Sequence, residues 1–322
     1  MHYLCTKREM SEVSVVIVSM NRPDLLVPCL ESLYSNNKCG CEVFVVAYMY
    51  ESDNLALIRT RFPDIQIIES NEVRGFSENN NLALRKVRTP FVFIVNDDTL
   101  QQMPVIDCLL QDIKALPDKV ASVSPRIVFP DGRVQTCGRA PWTSWRWMKH
   151  YLHIEDETNP GKWTMGEGLF RSYTLNGACF LARTDAFREA GWFDERFFFT
   201  PEDIALGHKF NDMGYEVWAD AAVSIVHIAS SSTSSLSAAI KPARIRGSLL
   251  FFSRGSKLRY ALLGIYACAI ETARYLKYLL KGCRTEKDRI MKASARNVLR
   301  SVFSGKSAKE LFIGFKDELP LK

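Results

Sequence analysis

The chain has 322 residues, 47% hydrophobic and 24% charged, an ordinary globular balance that excludes disordered and collagen-like classes. Its longest uncharged apolar stretch, Ala261 to Ile270, stops at Glu271, half of the roughly 20 residues a bilayer span needs. The net charge of +6 is divided unevenly: residues 241–300 hold 15 Lys and Arg against three acids, whereas the first 240 residues carry −7. The N-terminus shows no apolar segment of signal-peptide length. The nine cysteines are odd in number and scattered, with Cys39-Gly40-Cys41 the one close pair. Free thiols and a cytosolic address are the expectation.

Val13 to Ser19 (VSVVIVS) is a β-branched run of the kind buried on both faces of a parallel sheet. Asn21-Arg22-Pro23-Asp24 then turns into a helix, with Leu25, Leu26, Cys29, Leu30 and Leu33 at helical spacing. Glu42 to Ala47, Ile65 to Glu69 and Phe91 to Val95 are further strands, and Phe76 to Arg88 is a polar helix before the last of them. This alternation predicts an α/β domain with a mostly parallel sheet, whose ligands collect at the carboxyl ends of the strands.

Farther on, Val105 to Leu116 reads as helix and Ala121 to Phe129 as strand, with Pro125 at an edge or bulge. Pro141 to Trp163, rich in Trp and His without a period, reads as a long loop or lid. Its flat aromatic faces offer a stacking surface for a ring-shaped ligand; a hydrophobic patch covered by the tail is the equal alternative. Leu175 to Arg183 is a strand, Thr184 to Ala190 and Pro201 to Met213 are helices, and Val217 and Val223 to His227 are strand. Ser230 to Ser237 reads as a linker.

Four local patterns carry chemistry. Asn96-Asp97-Asp98-Thr99 follows a strand, where paired acids hold a hard cation against a diphosphate or simply build a turn. Glu202-Asp203 follows Phe197-Phe198-Phe199, where lost hydration suits a general base; the same acids also complement a helix N-terminus. His227 closes the last strand, as a ligand or a structural residue. Asn79-Asn80-Asn81 opens a polar helix available to a nucleotide.

Taken together, VSVVIVSMNR, NEVRGFSENNN, FVFIVNDDT, the block LNGACFLARTDAFREAGWFDERFFFTPED and VHIASSS resemble the family 2 glycosyltransferases of GT-A type, nearest their rhamnosyltransferase-like branch. The resemblance covers roughly residues 12 to 232. It implies a GT-A fold whose nucleotide-sugar half is about 12–100 and acceptor half about 101–236, with 237–322 as a basic amphipathic helical tail. By the same resemblance Asp98 and His227 hold Mg²⁺ or Mn²⁺, and Asn96 and Asp97 of the same motif, with Glu202, bind substrate or nucleotide. Asp203 is the catalytic base beside Glu202, and Ser19, Asn21, Arg22 and Asn81 belong to the nucleotide pocket. Where the family has an aspartate that reads the base, this chain has Ala47-Tyr48, leaving Tyr48 to stack. Arg74 stands beside Gly75 for phosphate contact, and Ala205 replaces a second site acid.

The implied reaction is inverting transfer from a nucleotide-sugar donor, rhamnose foremost, to a saccharide or lipid-linked saccharide in bacterial surface polysaccharide assembly. A hexose donor, or a non-catalytic scaffold of the same fold, are the rivals. The basic, partly apolar pattern from Arg244 to Lys281 fits an anionic membrane surface at the inner face of the cell membrane. Docking on the acidic body, or on a second copy as a homo-oligomer, is the other use of such a face. Nucleic acid is not expected as a partner, because no recognition motif appears.

Overall fold

The structure is a computed structural model, and it describes residues 11–154, 166–228 and 236–318. Cys5, Trp163 and most of the expected serine linker lie outside the described residues. In the first half, β1 (Val13–Met20), α1 (Pro23–Asn36), β2 (Cys41–Tyr48), α2 (Ser52–Arg61), β3 (Gln66–Ser70), α3 (Phe76–Leu84) and β4 (Phe91–Val95) alternate. Then come β5 (Thr99–Leu100), α4 (Val105–Ala115), β6 (Val120–Val128), β7 (Val134–Thr136), α5 (Ser144–Tyr151), β8 (Leu169–Ser172), β9 (Cys179–Arg183), α6 (Thr184–Glu189), α7 (Glu202–Asp212) and β10 (Glu216–His227). Four helices close the chain: α8 (Ser237–Ser253), α9 (Lys257–Lys281), α10 (Glu286–Ser301) and α11 (Ala308–Asp317).

One sheet runs β3-β2-β1-β4-β9-β6-β10-β5, with β7 on β6 and β8 on β10. The four strands β3, β2, β1 and β4 pair in parallel, as the β-branched runs predict. The rest adds antiparallel strands to this frame. β9 lies antiparallel to both β4 and β6, whereas β6 and β10 pair in parallel. Two reversals cancel, so β1, β2, β4, β6 and β10 all end at the same edge. Pro125 sits where the β6–β10 register slips between Asp220 and Ser224, a bulge that tolerates a residue without an N–H.

Both faces of the sheet are covered. One buries Val15, Ile17 and Phe93 against Leu26 and Leu30 of α1 and Leu109 of α4. The other buries Val16, Ile94 and Phe180 against Leu84 of α3, Phe187 of α6 and Phe210 of α7.

In the segment expected as a lid, Ser144–Tyr151 forms a helix, and residues 155–163 lie outside the described residues. Trp147 of α5 and the preceding Trp142 are 6% and 4% exposed, packed against Ile245, Leu249, Phe252, Leu263 and Val298 of the tail. Each such buried aromatic contributes roughly 1.5–3 kcal/mol, so the tail is docked on the body by apolar contact. A second cluster joins Phe198 to Ala239, Ile240, Leu311 and Phe312. The fit is close at Gly247 of α8, where a Cβ would run into the backbone oxygen of Thr200. The tail is therefore four helices, of which α8 leans on the segment that opens α7.

Candidate active site

Burial of FVFIV on both faces fixes β4, and the chain then turns back on itself. Thr99 Oγ1 donates to the Asn96 carbonyl at 2.9 Å, and the short β5 pairs antiparallel with the end of β10, setting Thr99 opposite His227. Ile228 N donates to the Asp98 carbonyl at 2.9 Å. This register brings two side chains 129 positions apart into contact: His227 Nε2 is 3.2 Å from Asp98 Oδ1, both side chains nearly buried. Gln135 of β7 lies 2.8 Å from His227 Nδ1. With the amide oxygen accepting from Nδ1–H, Nε2 keeps its lone pair toward the carboxylate.

Two acceptor atoms facing each other across 3.2 Å fit a cation between them. The spacing is near the ~3.0 Å that separates adjacent ligands on an octahedral cation with bonds of about 2.1 Å. Among the described residues no cluster of three or more His, Cys, Asp or Glu forms a closed metal cage. Asp98 and His227 would be the residues to hold a Mg²⁺ or Mn²⁺ ion, and two side chains alone would leave the rest of its ligands to come from outside the protein. Asn96 stands beside them, its Nδ2 3.5 Å from Nε2.

At the end of β1, Ser19 Oγ is 2.8 Å from the hydroxyl of Tyr50, a residue the sequence did not single out. Burial pushes the Asp97 carboxyl up to about 6; a hydrogen bond from Ser19 opposes this, and the charge of Asp98 adds to it. The Arg22 guanidinium grips Asp24 at 2.7 Å and feels the charges of Asp97 and Asp98.

Other expected pocket residues are employed differently. Asn21, at φ +49°, accepts from Glu51 N (3.1 Å) and Asn54 Nδ2 (2.9 Å), so it holds the β1–α1 turn to the start of α2. Tyr48 does not face Ser19: its hydroxyl accepts from Arg74 N at 3.4 Å. Arg74 is bonded to Ser70 and Glu72. Asn81 is 2% exposed and exchanges two hydrogen bonds with the Phe193 backbone while reaching Glu195, so it clamps α3 to the GWFDE segment instead of lining a nucleotide site.

Asp203 lies in the first turn of α7, behind the aromatic run. Its Oδ2 accepts from Arg139 Nη1 at 2.7 Å and Gly177 N at 3.2 Å, and its Oδ1 from Ile204 N at 2.7 Å. The next residue after Gly177, Ala178, accepts from Asn96 N at 3.0 Å. The Gly177–Ala178 link thus ties the carboxylate of Asp203 to the turn carrying Asp98. Glu202 is buried behind it: burial first, then the charge of Asp203, pushes its carboxyl up to about 8. Its Oε2 has no partner among the described residues, as suits a protonated group. Asp203 opens on a cavity of about 450 Å³ between the body and the tail.

Arg139 and Gln135, which hold the proposed base and the imidazole, were invisible in the sequence, where both lie in an unremarkable polar stretch. A family model described as glycosyltransferase like family 2 matches residues 11–247. The chain belongs to this family.

Within the family 2 glycosyltransferases the chain is 25% identical over 227 residues to the O-antigen biosynthesis protein RfbC of Myxococcus xanthus. That match takes in 69% of this chain and 18% of the relative. It is 23% identical over 183 residues to N-acetylglucosaminyl-diphospho-decaprenol L-rhamnosyltransferase of Mycobacterium tuberculosis, 48% of this chain and 56% of that one. The chain therefore spans less than two thirds of either relative. Among solved structures it resembles the mannosyltransferase PcManGT of Pyrobaculum calidifontis, in complex with GDP-Man and Mn²⁺. The TM-score is 0.55 at 15% identity, covering 92% of this chain and 88% of that one. It also resembles GalNAc-T7 with UDP, GalNAc and Mn²⁺, with a TM-score of 0.53 at 14% identity, covering 68% and 44%. These likenesses establish the GT-A fold.

Proposed function

We propose that the protein is a metal-dependent, inverting glycosyltransferase that moves a sugar, rhamnose foremost, from a nucleotide donor to a lipid-linked saccharide in bacterial surface polysaccharide assembly. The observation that carries this reading is the joint placement of the Asp98–His227 pair and Asp203 at one sheet edge, bridged through Gly177 and Ala178. Asp98 and His227 would hold the cation, which supplies neutralisation of charge on the departing nucleoside diphosphate. Asp203 accepts the proton of the acceptor hydroxyl as that oxygen attacks the anomeric carbon. Arg139, Gly177 and Ile204 hold the carboxylate in one orientation for that transfer. The name of the mycobacterial relative, which specifies L-rhamnose and a diphospho-decaprenol acceptor, supports the choice of sugar and acceptor.

The tail supports work at a membrane surface, on the inner face of the cell membrane. No helix among the described residues is long and apolar enough to cross a membrane. Yet α9 exposes Leu258, Leu262, Ile265, Leu276, Leu279 and Leu280 in a row at helical spacing, among Lys257, Arg259, Lys277 and Lys281.

The test is sugar transfer with a panel of dTDP-, UDP- and GDP-sugars and Mn²⁺, in the wild type and in Asp203→Asn. Transfer that falls by at least about 10²-fold in the variant, with donor binding intact, is expected. Full transfer by Asp203→Asn removes it from the base role.

A further inference from the structure

The cavity beside Asp203 has a chemistry that the metal edge does not share. Arg139, Lys241, Arg244 and Arg274 line it, and Asp203 is the one acid among its lining residues. Arg139 is engaged by Asp203. Lys241 and Arg274, on α8 and α9, share a single carboxylate: Glu271, wholly buried, takes them at 2.6 and 2.5 Å and accepts from the Tyr151 hydroxyl at 2.5 Å. Two cations against one acid leave positive charge in the wall, and the exposed Arg244 adds to it. Trp142, Trp147 and Tyr151 form the apolar part of the same wall. At about 450 Å³ the space falls in the range of small-molecule sites.

We propose that this cavity, built jointly by α5 and the tail helices, is the acceptor site and takes a saccharide bearing a phosphate or diphosphate. The proposal deepens the transferase reading and rests on it, because the acceptor hydroxyl must reach Asp203. Arg244 and Lys241 meet the phosphate oxygens, as guanidinium and ammonium groups do wherever doubly charged oxyanions are held.

Two sources offer this chemistry, a lipid-diphosphate saccharide and a soluble sugar phosphate. The experiment is calorimetric titration of the full chain, with Mn²⁺ and saturating nucleoside diphosphate present. The probes are farnesyl diphosphate, N-acetylglucosamine 1-phosphate and phosphate-free octyl glucoside. Phosphate-bearing probes should bind and octyl glucoside should not. Arg244→Ala should weaken them by at least about tenfold, with Arg244→Lys retaining most of the affinity. Preference for farnesyl diphosphate assigns the lipid source, and equal affinity for the sugar phosphate assigns the soluble one. Probe binding unchanged in Arg244→Ala, or equalled by octyl glucoside, overturns the proposal. Nucleoside diphosphate binding in the absence of probe, measured on the same preparations, separates this outcome from failure of the transferase reading itself.

Discussion

The carboxylate of Asp203 and the guanidinium of Arg139 form a nearly buried ion pair at 2.7 Å, between residues 64 positions apart. Arg139 also donates to the Leu175 carbonyl at 2.9 Å, so the cation is braced on the loop segment that leads into Gly177. Removing it leaves a half-buried carboxylate without its strongest donor. Arg139→Ala is expected to cut the turnover of sugar transfer by about 10²-fold while donor affinity stays near the wild-type value. Steady-state kinetics checks this; an unchanged turnover would show that Asp203 needs no such brace.

Glu202 gives a dependence on pH. Its carboxyl is pushed from the ordinary 4.5 to about 8 in the folded chain, by burial and by Asp203. Between those values the folded chain keeps a proton that the unfolded chain has released. Its stabilising contribution is complete below about pH 4.5 and is lost as pH rises through 8. Glu202→Gln removes the ionisation. Against the wild type, its melting temperature should gain on the order of 2 °C or more between about pH 5 and pH 8.5. A difference that is flat with pH would contradict the assignment.

The tail is anchored by Glu271, which has no exposure and serves Lys241, Arg274 and Tyr151 at once. Glu271→Leu leaves two partly buried cations without their shared carboxylate. A loss of roughly 3–5 kcal/mol is expected, read as a lower denaturation midpoint. A midpoint within error of the wild type would mean that the cations relax outward freely.

The leucine row of α9 is exposed, so charging it should leave the fold intact. Leu262→Asp with Ile265→Asp is expected to release the protein from vesicles rich in anionic lipid while its melting curve is unchanged. Equal co-sedimentation of the two proteins would remove α9 as the contact.

The parallel half of the sheet was legible because VSVVIVS, EVFVVA and FVFIV are buried on both faces and need no alternation. Helix α2 was not, since it buries only Ile58 and leaves no apolar stripe to read. At the site, the exchange of Tyr50 for Tyr48 has a local cause. Met49 takes φ +53° and turns the chain just past β2, so that Tyr50 swings to Ser19. A methionine gives no sign of a left-handed conformation. The described part of the segment read as a lid holds a helix, Ser144–Tyr151, whose docking rests on partners more than 90 residues later, from Ile245 to Val302, that cover Trp142 and Trp147. Asp98, Asp203 and His227 stood out as local patterns and took their expected roles from the resemblance, whereas Gln135 and Arg139, which contact two of them, gave no signal.

The most direct test is calorimetric binding of nucleoside diphosphates to the wild type, Asp98→Asn and His227→Ala, each with Mn²⁺ and with chelator. The expected result is tight binding by the wild type with Mn²⁺, weakened at least about tenfold by chelator or by either substitution. Binding that is equally tight in all three proteins, with or without the metal, would contradict the account.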